Sequence, residues 1–380
     1  MTADWANRDR AVPNPVLTIR DINVVYQGHY PTHAVRDVNL DLARGEVLGL
    51  AGESGCGKST LAYALTRLLR PPAELASGSV LFHEPPQDGK PAQDGNGGTV
   101  EVTELQGEEL RQFRWQKIAM VFQGAMNSLN PVLNVATQLS DTLAAHLPDM
   151  TKAERRERCA ELLELVGMDP SRLRSYPHQL SGGMRQRVMI AMALALQPDV
   201  IIMDEPTTAL DVVVQRDILA EIDRLRQMFG FAVIFITHDL SLLLEISDRI
   251  AIMYAGRIVE QGPADQLGHH PMHPYTLGLL NSFPSLRGER RDLRGIPGTP
   301  PDLATTLAGC AFAARCPHVF DDCTTVRPSL LPVNGGSSGG GTDAACLLHD
   351  RAHNPGGVPE ALLHGRFAVE QVEQREVAGA

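Results

Sequence analysis

Gly52-Glu53-Ser54-Gly55-Cys56-Gly57-Lys58-Ser59 follows the short apolar run Glu46–Ala51 and precedes an apolar helix predicted over Ser59–Leu69. The octapeptide fits G-x-x-x-x-G-K-[ST], and a strand before it with a helix after it is the context that motif requires. Its glycines let successive backbone N–H groups turn inward on phosphate oxygens. The helix N-terminus adds partial positive charge. Lys58 then reaches the outer phosphates, and the Ser59 hydroxyl can ligate Mg²⁺. A chance Gly-rich turn would lack the flanking strand and helix. Cys56 stands at the helix end of the loop, where a thiol pKa can fall and a redox switch is one reading. The plainer reading is a small side chain that fits the loop.

A second apolar run, Val200-Ile201-Ile202-Met203, ends in Asp204-Glu205. Acids at a strand's C-terminal end lie beside the crevice where open α/β sheets bind ligands. Alone such acids are often turn residues. Joined to a phosphate loop, Asp204 is expected to hold Mg²⁺ and Glu205 to polarise an attacking water.

Around these two runs the pattern alternates. Leu17–Arg20, Ile22–Tyr26, Ala34–Leu42, Val80–Phe82 and Ile118–Phe122 read as strands. Thr151–Val166 reads as a helix, with Thr151 and Glu154 at capping-box spacing. Cys159, Leu162, Leu163 and Val166 recur there at helical period, so Cys159 is expected in the core. Met184–Leu196, Val213–Met228 and Leu240–Ser247 also read as helices. Phe231–Thr237 is apolar throughout and fits a central strand buried on both faces. Ala255–Gly256 joins two β runs as a hairpin. Strands alternating with helices across 45–247 imply an α/β core with parallel strands. Pro85–Gly98 and the Gly/Ser tract Gly335–Gly341 read as mobile loops.

The 380 residues allow two domains, or one large domain with an appendage. Lys+Arg is 34 against Asp+Glu 45, a net charge of −11, and aromatics are only 5%. That balance argues against an open nucleic-acid surface and against electrostatic docking on anionic lipid. Met1 to Pro15 is polar, so no secretory signal is expected. The longest apolar stretch, Val188–Leu196, is too short to span a membrane. The chain therefore reads as soluble and cytoplasmic.

After His269 the texture changes to a Pro-rich segment carrying Cys310, Cys316, Cys323 and Cys346, spaced C-x5-C-x6-C-x22-C. Structural zinc sites bring ligands in close pairs, and none occurs here. Four thiolates suit a [4Fe–4S] cluster, although this is not a ferredoxin spacing. On spacing alone, cluster, zinc and unligated thiols all remain open.

Further motifs carry a resemblance. Leu180-Ser181-Gly182-Gly183-Met184, with Arg185-Gln186-Arg187, resembles the signature of ATP-binding cassette ATPases. Gln123 after Val121-Phe122 resembles their Q-loop. Ala209-Leu210-Asp211 resembles the D-loop, His238 after Ile236-Thr237 the switch histidine, and Tyr26 the aromatic that faces adenine. With the phosphate loop and Asp204-Glu205, these occur in the family's order across about 17–265. Ser128-Leu129-Asn130-Pro131, His273-Pro274-Tyr275-Thr276, Ile296-Pro297-Gly298-Thr299-Pro300-Pro301 and Gly309-Cys310 with Arg315-Cys316-Pro317 narrow the likeness. They are similar to the ATP-binding subunits of oligopeptide/dipeptide importers, over about 17–350. Gln179 stands where that family often has Glu, outside the phosphate-facing set, and the Pro85–Gly98 loop is long for the family.

The resemblance implies a P-loop α/β cassette over 17–265, with a mixed-sheet core, an antiparallel β part and a helical subdomain at about 124–182. A small Cys-rich extension would follow over 266–350, and 1–16 and 351–380 would be flexible tails. ATP and Mg²⁺ would be bound by Tyr26, Gly52, Glu53, Ser54, Gly55, Cys56, Gly57, Lys58, Ser59, Thr60, Gln123 and Asp204. Ser59, Gln123 and Asp204 would form the metal set, and Glu205, His238 and Gln123 would be catalytic. Ser181, Gly182, Gly183 and Asp211 would also bind nucleotide, the signature residues Ser181 to Gly183 acting on the site of a partner ATPase subunit. The cysteines would bind [4Fe–4S], with a structural or sensory role. The chain would sit peripherally on the cytoplasmic face of the membrane, with two permease subunits and an extracytoplasmic solute-binding protein. A transporter of nickel, glutathione or oligosaccharide would share the mechanism. A non-transport ABC ATPase acting on ribosomes or DNA is disfavoured by the single cassette and the acidic charge.

Overall fold

The computed structural model describes residues 12, 14–85, 98–124, 128–208, 210–282, 295–305, 307–333, 341–359 and 362. All but the ends of the expected loops at 85–98 and 335–341, and most of both expected tails, lie outside these residues.

Twelve strands are described, in two sheets. They are β1 Pro15–Tyr26, β2 Thr32–Ala43, β3 Val47–Ala51, β4 Ala73–His83, β5 Thr99–Glu101 and β6 Ile118–Val121. Then come β7 Val200–Asp204, β8 Ala232–Ile236, β9 Arg249–Tyr254, β10 Arg257–Pro263, β11 Leu331–Pro332 and β12 Asp343–Ala344. The small sheet runs β2-β1-β4-β5 and is antiparallel. The large sheet runs β11-β12-β10-β9-β3-β8-β7-β6. Its stretch from β6 to β9 is parallel. The parallel core expected from strand–helix alternation is therefore present, with an antiparallel flank added by β10 to β12.

Local chemistry explains the details. Every residue of β3, β7 and β8 is buried, as their unbroken apolar runs demand of strands covered on both faces. Leu17–Arg20 and Ile22–Tyr26, expected as two strands, form one. The break between them is a bulge where Asp21 takes φ 49° and the pairing register shifts. The β9–β10 hairpin turns through Ala255 and Gly256, both at positive φ, as a two-residue connection requires.

The helix Lys152–Leu165 starts with the expected capping box, Thr151 and Glu154 bonding each other's backbone N–H. Cys159, Leu162 and Leu163 bury its inner face against the helices Val135–His146 and Gly182–Leu194, in one core with Leu139 and Val188. A second core unites the small sheet with the phosphate-loop helix through Val24, Phe82, Leu61 and Leu65.

The region beyond β10 joins the first core. Phe312 packs edge-on to Tyr254 at 5.3 Å and tilted to Tyr275 at 5.3 Å. Leu362, within the expected C-terminal tail, is buried with Leu277 and Leu348, so burial ties down at least that residue of a stretch whose sequence carries no periodic signal.

Candidate nucleotide site

The parallel strands bring their C-terminal ends to one edge. β3 leads into the phosphate loop, β6 ends just before Gln123, β7 ends at Asp204 and β8 precedes His238. Leu50 and Asp204 both pair with Ile236, from opposite sides of β8. From Gly52 to His238, residues up to 186 positions apart thus share one crevice mouth.

Backbone geometry shapes the loop. Gly52 has φ 151°, and a Cβ there would lie 2.2 Å from the Met253 carbonyl oxygen. Gly57 has φ 108°, and a Cβ would lie 2.2 Å from the Ala34 oxygen. Only glycine fits either position. Gly57 caps the helix Lys58–Leu65 without any side-chain bond, which leaves the first-turn N–H groups for an anion. Lys58 Nζ arches over the loop, donating to the Gly52 oxygen at 2.7 Å and the Glu53 oxygen at 2.9 Å. Ser54 and Gly55 form the exposed tip. Cys56 is buried, and burial raises its thiol pKa. A redox switch would need the opposite shift, so burial favours the small-residue reading.

Asp204 is fully buried, and neither carboxylate oxygen has a hydrogen-bond partner. The Ser59 hydroxyl lies near enough to offset part of the pKa rise that burial causes, without making a bond of ordinary geometry. A buried carboxylate left unsatisfied beside a hydroxyl is costly in isolation. It is the donor set that a hard divalent cation completes, so the residues fit Mg²⁺.

Glu205 sits at φ 45°, a left-handed conformation that costs a non-glycine residue on the order of 1–3 kcal/mol. Its N–H donates to the Ile236 oxygen at 2.9 Å. Its carboxylate gathers three partners: His238 Nδ1 at 3.2 Å, Gln123 Nε2 at 3.2 Å and Thr208 Oγ1 at 2.9 Å. The three residues expected to be catalytic are therefore in direct contact. No sequence motif marks Thr208; its only signal is its place three residues after Glu205. Tyr26, at the end of β1, has Oη 3.1 Å from Thr60 Oγ1, which sets its ring beside the phosphate-loop helix.

The signature and the D-loop lie apart. Ser181 is exposed and caps the helix Gly182–Leu194, accepting from Met184 N at 3.3 Å. A Cβ on Gly183 would lie 2.6 Å from Val214 Cγ1. Asp211 caps Val212–Phe229, accepting from the N–H groups of Val213 and Val214. Among the described residues no hydrogen bond or ion pair joins Ser181, Gly182, Gly183 or Asp211 to the phosphate loop.

The metal expectation for the cysteines is not supported. No disulfide joins them. Cys310 N donates to the Cys323 oxygen at 2.8 Å. The Cys346 thiol is pushed well up, by burial first and then by nearby Cys316, Cys310 and Cys323. The four do converge. Yet among the described residues no group of three or more His, Cys, Asp or Glu side chains is arranged to hold a metal ion. Burial raises the Cys310 thiol to about 11, as it raises that of Cys346.

Two further side chains reach the loop without warning from the motifs. Arg315 pairs with the Glu53 carboxylate, and Tyr275 Oη accepts from Glu53 N at 2.9 Å. Both fall inside stretches whose likeness to importer subunits was visible, but nothing there pointed to the phosphate loop.

Comparison with known proteins agrees with this geometry. The family model described as ABC transporter matches residues 35–208, and that described as Oligopeptide/dipeptide transporter, C-terminal region, matches 259–323. The chain is 43% identical over 344 residues to the "Probable peptide ABC transporter ATP-binding protein" of Sinorhizobium fredii, covering 89% of this chain and 96% of that protein. It is 42% identical to the "Oligopeptide transport ATP-binding protein OppD" of Escherichia coli, over 82% of this chain and 89% of that one. A solved ATP-binding cassette, a dimer in a post-hydrolysis state bound to ADP and Pi, aligns at a TM-score of 0.55 and 28% identity, covering 65% of this chain and 98% of that one. This chain belongs to the ABC transporter ATP-binding proteins, in their oligopeptide/dipeptide group.

Proposed function

We propose that this ABC ATPase energises the import of peptides, working as one half of an ATPase dimer beneath two membrane permease subunits fed by an extracytoplasmic binding protein. The convergence of Gln123 and His238 on Glu205, beside the phosphate loop, carries the catalytic part of this reading. The solute is inferred from relatives named for dipeptide and oligopeptide transport.

In this reading Tyr26 stacks on adenine. The N–H groups of Gly52 to Thr60 cradle the phosphates, and Lys58 turns from the loop carbonyls to the outer phosphate oxygens. Bound Mg²⁺ would neutralise charge developing between the outer phosphates, held by Ser59, Gln123 and Asp204. Glu205 takes the proton of the attacking water, and His238 steadies the terminal phosphate. Ser181, Gly182 and Gly183 present a hydroxyl and backbone donors at a helix start to the partner's nucleotide. Asp211 and the exposed Val212 and Val213 would line the same dimer interface. Residues 17–265 would form the cassette, with 124–182 as its helical subdomain, and 266–350 the extension.

The chain would lie on the cytoplasmic face of the membrane. No helix among the described residues is long and apolar enough to cross it. Cys310, Cys316, Cys323 and Cys346 are proposed to hold a [4Fe–4S] unit. The convergence of their sulfurs supports it, because such a cluster spreads four thiolates wider than one ion does. Its role would be structural or sensory.

The test is uptake by the reconstituted transporter in proteoliposomes. ATP-dependent entry of labelled di- and oligopeptides is expected. Entry of nickel, glutathione or oligosaccharide in their place would overturn the solute, and no ATP-dependent solute entry with the permeases and binding protein present would overturn the transport reading.

A further inference from the structure

Glu53 is the second residue of the phosphate loop, and its carboxylate would stand close to a polyanion. Arg315, 262 residues away in the sequence, meets it with a two-pronged pair: Nη1 to Oε2 at 2.7 Å and Nη2 to Oε1 at 2.9 Å. The Arg315 side chain is only 4% exposed. Its remaining donors are also satisfied, Nε by the Pro297 oxygen at 2.8 Å and Nη1 by Tyr254 Oη at 3.3 Å. The guanidinium rests on the Tyr254 and Phe312 rings at 5.8 and 5.9 Å. Tyr275 Oη fixes the Glu53 backbone N–H as well. The Cys-rich region and the helix Pro274–Asn281 thus grip one loop residue at both side chain and backbone.

We propose that Arg315 is a positioning residue for ATP binding: its paired guanidinium neutralises Glu53 and holds that carboxylate off the incoming phosphates. The proposal rests on reading Gly52–Ser59 as the ATP phosphate site. Planar, two-pronged pairing gives the contact its geometry. Removing one partner of such a pair leaves the other uncompensated. In Arg315→Ala the uncompensated group is an anion beside the phosphates, so ATP binding weakens while the groups at Glu205 are untouched. The position of the extension is thereby felt at the nucleotide site.

The experiment is a double-mutant cycle on the full chain, read as ATP affinity with a fluorescent ATP analogue and as KM and kcat in the reconstituted transporter. Arg315→Ala should weaken ATP binding about thirtyfold, the low end of what truncating one partner of a hydrogen-bonded charge pair costs, and raise KM more than it lowers kcat. Glu53→Gln combined with Arg315→Ala should restore most of the affinity, because the offending charge is gone. A merely structural role for Arg315 predicts no rescue, since Glu53→Gln returns none of its bonds to Pro297 or Tyr254. Arg315→Lys, which keeps the charge but loses the fork, should fall between wild type and Arg315→Ala. Unchanged affinity in both single variants, or no rescue in the double variant, overturns the proposal. Lys58→Ala is the control for the site itself. If that variant binds ATP normally, the reading of the phosphate loop fails, independently of Arg315.

Discussion

His238 Nδ1 lies 3.2 Å from Glu205 Oε1, so the residue expected to contact the terminal phosphate and the residue expected to activate water are partners of each other. Gln123 and Thr208 hold the second carboxylate oxygen. Three side chains from three separate strand ends or loops therefore fix one carboxylate, at a residue whose backbone is itself in the left-handed region. A group so constrained is oriented before substrate arrives.

Glu205→Gln should bind ATP with near wild-type affinity and hydrolyse it slowly. A general base contributes roughly 10²–10⁴-fold, and the amide keeps the acceptor that Thr208 and Gln123 use. ATP should then hold two ATPase subunits together, seen as an earlier elution on a sizing column with ATP and not with ADP. If the variant does not bind ATP, Glu205 is a structural acid.

Lys58→Ala should lose ATP binding outright. Lys58 is the one cation within the loop, and it is buried against the Gly52 and Glu53 carbonyls. Isothermal titration with Mg-ATP should show no heat of binding, with an unchanged far-UV circular dichroism spectrum. Near-normal hydrolysis in the reconstituted complex would contradict the assignment.

The phosphate loop and Asp204-Glu205 were legible because each is a contiguous run whose apolar strand and polar tip are adjacent in sequence. Gln123 and His238 are single residues, and the family's order singled them out. The structure adds the reason they matter, the adjacency of β6, β7 and β8. The helix Gly107–Gln116 is not legible in the sequence because it buries only Phe113 and so shows no apolar stripe. Val135–His146 does carry a signal, an Asn134 cap bonded to Thr137 N at 2.9 Å, with Val135, Leu139 and Leu143 four apart. Arg315 could not be found by pattern at all. Its partner lies 262 residues away, and only the packing of Phe312 on Tyr254 and Tyr275 brings the two together.

Ser181→Arg should leave ATP binding at this chain's own loop intact and suppress turnover at the partner's. Ser181 is exposed, and among the described residues no hydrogen bond joins it to residues 52–59, so its effect is expected across an interface. Loss of the cap costs about 1 kcal/mol, too little to unfold the chain. Mixed dimers, in which only one subunit carries the change, separate the two sites. A fall confined to the variant's own nucleotide affinity would show that the signature acts within one chain.

His273 should make the chain acid-sensitive. It is buried, Nδ1 accepts from Tyr275 N at 3.0 Å, and the ring lies 5.8 Å from Phe312. Burial, with His349 nearby, pushes its pKa down to about 3, against roughly 6.5 in an unfolded chain. As pH falls below 6.5 the unfolded chain takes a proton that the folded one refuses. Stability present above 6.5 is therefore lost progressively toward 3, at up to about 1.4 kcal/mol per pH unit. Glu260, which accepts from His273 N at 2.9 Å, is pushed up to about 7 by burial. Its contribution has the opposite sign, growing as pH falls from 7 toward its unfolded value. Comparing wild type with His273→Asn isolates the histidine. Asparagine can still accept from Tyr275 N as a helix cap, while the smaller side chain costs about 1–3 kcal/mol of packing against Phe312. Urea unfolding at about pH 7.5 and about pH 5 should show the variant weaker at the higher pH, yet losing about 1–2 kcal/mol less than wild type between the two. Equal losses in both proteins would mean that His273 is protonated in the fold and that its buried, neutral state is wrong.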